Sequence, residues 1–110
     1  MRFEELEVWK RSARLSANLY QELKALKDYG FKDQITRSGL SVPSNIAEGF
    51  ERKSQKECLT FLSYAKGSFG ELRCQIYIGM DVGKAWLQEA TEISSMLSGL
   101  LKTKRSFLKS

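Results

Sequence analysis

A single proline, Pro43, stands in a chain of 110 residues whose apolar side chains otherwise recur at helical spacing almost throughout. No stretch sustains the apolar–polar alternation of a half-buried strand, so the periodicity points to an all-α fold. Pro43 then sets the problem for its own segment. Proline lacks an amide hydrogen, and its ring crowds the carbonyl four residues earlier. That earlier residue is Gly39, with Ser38 and Ser41 close by in sequence, so a bend has room to form and hydroxyls stand near the freed backbone groups. The pattern predicts one continuous second helix over 29–50, kinked at Pro43, rather than two short helices.

The same segment places Gln34, Arg37, Ser41, Asn45 and Glu48 on one line of that helix, beside an apolar line of Phe31, Ile35, Val42 and Ile46. A polar line that borders a core face is either an interhelical hydrogen-bond network or a site. A matching line, Tyr64, Ser68, Glu71 and Gln75, borders the apolar face of the third helix. If the two helices are antiparallel neighbours, Arg37, Ser41, Asn45 and Glu48 can interlock with Ser68, Glu71 and Gln75 and fix the helix register. The carboxylate pair Glu48 and Glu71 is the one residual idea for catalysis, and paired carboxylates alone are a weak signal.

Three other helices are expected. The first, over 4–26, carries Leu6, Trp9, Ala13, Ser16, Tyr20 and Leu23 at strict three-four spacing. A second line, Val8, Ser12, Leu15, Leu19 and Leu26, lies about 100° round the same helix. Together they form an arc too wide for one core, which either meets two neighbouring helices or, through Leu15 and Leu19, faces another subunit. Asp28 is placed to cap the second helix. Ser54-Gln55-Lys56-Glu57 is a capping box that opens the third, over 55–80, with Cys58, Phe61, Leu62, Ala65, Phe69, Leu72, Ile76 and Met80 inward. Opposite them runs a ridge of Ser63, Gly67, Gly70 and Cys74. Each glycine costs a helix interior about 1 kcal/mol relative to alanine, so close approach of another backbone is expected at Gly67 and Gly70, as at a subunit interface. The fourth helix, over 85–108, follows Trp86, Ala90, Ile93, Leu97, Leu100 and Phe107, with Lys104 interrupting that seam. Short connections between long helices favour an antiparallel up-down-up-down four-helix bundle, one domain over residues 1–110.

The chain contains no histidine, which removes a Ser-His-Asp triad, a zincin and a Glu-x-x-His di-iron site together. No phosphate-binding loop or dinucleotide fingerprint occurs, since Gly79 to Lys84 has the wrong spacing. Cys58 and Cys74, sixteen residues apart on one helix, lie about 24 Å apart along its axis, beyond the reach of a disulfide within one chain. The opening MRFEELEVWKRS holds acids and no apolar run, which predicts neither a secretory signal nor a membrane span, and a cytoplasmic location. No catalytic residue, metal or cofactor is expected. Eighteen basic against thirteen acidic side chains give a net charge of +5, gathered at Lys10, Arg11 and Arg14, at Arg52, Lys53 and Lys56, and at Lys102, Lys104, Arg105 and Lys109. Such clusters permit nucleic-acid binding, and each alone is equally consistent with a solvated face.

LEVWKRSARL near the start, QITRSGLSVPSNIAEG around the proline, and FLSYAKGSFGEL with Gln75 resemble the 23S rRNA intervening-sequence proteins, a family sometimes labelled S23 ribosomal protein. The likeness spans nearly the whole chain, with Trp9, Gln34, Arg37, Ser41, Pro43, Asn45, Glu48, Gly49, Gly67, Ser68, Glu71 and Leu72 at family positions. Ser38-Gly39 departs from the small apolar pair that relatives often carry there. The resemblance implies a left-handed antiparallel bundle assembled as a homopentamer. It further implies a link either to inserted segments of 23S rRNA or to the reverse transcriptases of diversity-generating retroelements. The expectation is a non-enzymatic, oligomeric bundle that binds RNA or a nucleic-acid/protein complex, with Lys10, Arg11, Arg14, Arg52, Lys53, Lys102, Lys104 and Arg105 on phosphates. The alternative is a protein-interaction scaffold, or an accessory subunit of a polymerase such as a reverse transcriptase.

Overall fold

The computed structural model describes residues 2–79, 92, 95, 96 and 98–102. A 3₁₀ turn, Phe3–Glu5, leads into α1 (Glu7–Glu22), α2 (Tyr29–Glu51) and α3 (Gln55–Gly79). Residues 92, 95, 96 and 98–102 are also helical, and there is no strand among the described residues.

Local signals account for where α2 and α3 begin. An Asp28 carboxylate oxygen accepts the Phe31 amide at 3.3 Å, which satisfies one of the orphan donors at the start of α2. Ser54 Oγ does the same for the Glu57 amide of α3 at 3.0 Å. α2 runs through Pro43 without interruption and ends at Glu51.

The first helix is shorter than its periodicity suggests. Leu6 is extended, at φ −76° and ψ 127°, and separates the 3₁₀ turn from α1. At the other end Leu23 leaves helical geometry, and its amide bonds back to both Leu19 and Gln21 carbonyls. Neither place carries a glycine or proline. Tertiary burial decides both: Leu23 is buried, while Leu6 and Leu26 pack against the core edge.

The contacts fix the relative directions of the three long helices. Gly39 approaches Ser16 and Leu19 on α1, and Gly49 approaches Cys58 and Phe61 just past the α2–α3 connection. Ser41 and Ser68, farther from that connection on both helices, also meet. α2 therefore runs antiparallel to α3. Along α1, Trp9 lies with Pro43 and Ala47, whereas Tyr20 lies with Thr36 and Asp33, so that pair is antiparallel too.

Val8, Leu15, Leu19 and Leu23 of the first helical region meet Ile35, Val42 and Ile46 of α2 and Leu62, Ala65, Phe69, Leu72 and Ile76 of α3 in one core. Leu101 joins it at 3% exposure with Met96 and Leu100 partly buried, so the inward position near this point is 101 rather than 100. Trp86, Ala90, Ile93, Leu97 and Phe107, expected on the same seam, and Met80 of the third helix lie outside the described residues.

One expectation for a subunit interface is corrected here. Leu15 and Leu19 are 3% and 0% exposed, inside the protomer's own core, and offer nothing to a second copy. Leu19 instead covers Gly39, where an added methyl would sit 2.6 Å from its Cδ1. Within the protomer, helices approach closely at Gly39 and Gly49. Added methyls at Gly67 and Gly70 would meet nothing within 4 Å among the described residues, so both positions stay open on the protomer.

Candidate functional site

The polar lines of α2 and α3 meet at one point only among the described residues. Ser41 Oγ and Ser68 Oγ hydrogen-bond at 2.8 Å across the seam. Asn45 Nδ2 donates to the Ser41 carbonyl at 2.8 Å and to Ser41 Oγ at 2.9 Å. This half-buried trio is a register lock, because its geometry holds only when residues 41 and 68 stand side by side.

The other expected members of the network face elsewhere. Glu48 is exposed and accepts from Arg52 Nη2 at 2.8 Å, one turn along its own helix. Glu71 is exposed and accepts from Gln75 Nε2 at 3.3 Å, again within one helix. Gln75 Oε1 is buried without a partner among the described residues. Arg37 is exposed and makes no ion pair among the described residues. Glu48 and Glu71 therefore carry separate short-range partners, and no described group of three Asp, Glu or Cys side chains is gathered to hold a metal.

The basic residues divide by environment. Lys10 and Arg14 are exposed on α1, Lys53 at the α2–α3 connection, Lys56 in the first turn of α3, and Lys102 near the end of the described helical residues. Arg11, from the same cluster, is half-buried: it pairs with Glu92 and donates to Met96 Sδ at 3.6 Å, tying α1 to residues 81 to 85 positions away. Arg52 is exposed, but its guanidinium stands 4.7 Å over the Phe61 ring while it pairs with Glu48. Arg11 and Arg52 thus hold structural contacts, whereas Lys10, Arg14, Lys53 and Lys102 present their ammonium or guanidinium groups to solvent. Lys104 and Arg105 lie outside the described residues.

A third surface was not singled out by the sequence. Between α1 and α2 runs a groove with two cavities, of about 320 Å³ and 280 Å³, that share Leu40. The first is lined by Trp9, Ala13, Pro43 and Ala47, with Phe3 at its edge. The second is lined by Tyr20, Thr36, Arg37 and Asp33. Tyr20 and Leu40 are 47% and 48% exposed there. The Trp9–Tyr20 line had been legible as one edge of a wide arc; its partner on α2, Leu40 with Ala47, lies off that helix's strongest apolar line.

The model for the 23S rRNA-intervening sequence protein matches residues 4–103. The chain belongs to this family. The match covers α1 to α3 and the described helical residues up to 102, and so includes the Ser41–Asn45–Ser68 lock, the groove and the exposed basic groups. A comparison with curated proteins returned no match. No helix among the described residues of this intervening-sequence protein is long and apolar enough to cross a membrane.

Proposed function

We propose that this chain is a non-enzymatic, oligomeric bundle that binds structured RNA, or RNA held in a complex with protein, in the cytoplasm. Four helices run up-down-up-down with α2 bent at Pro43, and five copies assemble, as the family resemblance implies. Family membership over residues 4–103 is the observation that carries this reading. Exposed Lys10, Arg14, Lys53 and Lys102, with a net charge of +5, support it. Their role is contact with phosphates, which orients RNA without reading its bases and releases counterions on binding. Arg11 and Arg52 act indirectly, by holding the helices that carry these groups. Lys104 and Arg105 belong to the same proposed set of phosphate contacts by their charge alone.

Filter binding of rRNA fragments at two salt concentrations tests the proposal. Affinity that falls steeply with salt and varies little with sequence is the expected result, and no binding at low salt refutes it. A second reading, a scaffold or polymerase accessory protein, is favoured by the exposed apolar groove between α1 and α2. It predicts a protein partner whose binding changes little with salt.

A further inference from the structure

We infer that the groove between α1 and α2 receives α3 of a second copy of this chain, with Arg37 of one copy paired to Glu71 of the next. The inference rests on the oligomer proposed above and names its contacting faces.

Heights along the bundle provide the first argument. Ser41 and Ser68 touch, so residues one turn from each on antiparallel helices share a height. One turn back along α2 is Arg37, and about one turn forward along α3 is Glu71. By the same count Leu40 stands level with Gly67 and Gly70, and Asn45 stands level with Tyr64. The proposed assembly sets neighbouring copies side by side with their helices aligned, and side chains of equal height then meet.

Shape and charge match at each of these levels. Leu40, half exposed, faces outward from the groove where the two cavities join, and Gly67 and Gly70 offer a surface without side chains for it to cover. Tyr64 is 56% exposed and stands at the height of the cavity lined by Trp9, Pro43 and Ala47. Arg37 lines the second cavity without an ion pair among the described residues, and Glu71 has only the neutral Gln75. Both charges belong to the polar lines, yet the protomer leaves them out of its own lock. Because the groove and the outer side of α3 are different faces of one molecule, the contact is heterologous, and repetition closes a ring or extends a filament.

Sedimentation velocity on the full chain tests the assignment with four proteins: wild type, Arg37→Glu, Glu71→Arg and the double reversal. Both side chains are exposed, and far-UV circular dichroism checks that each variant folds. An oligomeric wild type is expected, with each single reversal weakening assembly by about tenfold or more because like charges then oppose one another, and the double reversal recovering it. Leu40→Lys should also dissociate the assembly. A monomeric wild type overturns the oligomer reading and this inference with it. An oligomeric wild type whose single variants assemble unchanged overturns the face assignment alone, and loss without recovery in the double reversal overturns the Arg37–Glu71 pairing.

Discussion

Replacing Gly39 with alanine should destabilise the protein, although the same change at an exposed helix position stabilises it. The new methyl would sit 2.6 Å from Leu19 Cδ1 and 3.9 Å from the Ser16 α-carbon. Carbon atoms rest at about 3.5–4.0 Å, so Leu19 must withdraw by roughly 1 Å. Cδ1 is the end of a side chain, but Leu19 is 0% exposed, so it must rearrange against its core neighbours rather than swing into solvent. Overpacking of this kind costs about 1–3 kcal/mol, against a gain of about 1 kcal/mol for removing a glycine from a helix. The expected net loss is up to about 2 kcal/mol, read as a lower denaturation midpoint at unchanged m-value in urea. Leu19→Val in the Gly39→Ala background returns space, and the two changes should couple by about 1 kcal/mol in a double-mutant cycle. A Gly39→Ala protein stabilised by about 1 kcal/mol, with no coupling to Leu19, would refute the close-approach argument.

Other consequences are open to direct measurement. Ser41→Ala removes the hydroxyl acceptor of Asn45, which keeps the Ser41 carbonyl, and the partner of Ser68, and should lower stability by about 1 kcal/mol in chemical denaturation. Asp28→Ala strips the cap from α2 and should cost about 0.5–2 kcal/mol, with faster amide exchange confined to the first turn of α2. The Glu4 carboxyl is held below its ordinary range, first by its own backbone amide and then by the Arg2 side chain. With the folded value below the unfolded one, its contribution is present above the unfolded value and fades as pH falls through the folded one. Arg2→Ala should therefore raise the Glu4 midpoint followed by NMR while leaving it below the ordinary value. Lys10→Ala with Arg14→Ala should flatten the salt dependence of RNA affinity without shifting thermal stability, because neither side chain is in the core.

What the sequence made legible followed the range of the interaction. The starts of α2 and α3 were readable because Asp28 and Ser54 act on amides three residues away. The core faces of α2 and α3 were equally plain: Ile35, Val42 and Ile46, and Leu62, Phe69 and Leu72, follow the helical period and are all buried. Helix α1 was harder because two of its lines are apolar, and periodicity gives their angle on the helix without saying which one meets the core. Leu15 and Leu19 took that place, leaving Trp9 and Tyr20 to the groove. Glycines divide for a related reason. Gly67 and Gly70 form a visible small-residue ridge, but what a glycine admits depends on the opposing helix, and Gly39 and Gly49 are where helices press together. Arg11 looked like its basic neighbours, and its distinction lies in Glu92 and Met96, far along the chain. On the polar lines, helical angle alone did not separate the trio at the seam from Arg37, Glu48 and Glu71 at the surface.

Three buried hydroxyls of α1 and α2 bond backward along their own helices. Ser12 donates to the Trp9 carbonyl, Thr36 to that of Lys32 and Ser38 to that of Gln34. These groups ask nothing of the neighbouring helix, so truncating any one of them strands no donor across the α1–α2 contact. That contact is therefore free to drift in sequence as long as volumes are kept, whereas the α2–α3 contact is not, because Ser41 and Ser68 depend on one another. Related chains should accordingly vary Ser12, Thr36 and Ser38 among small residues while changing 41 and 68 only together.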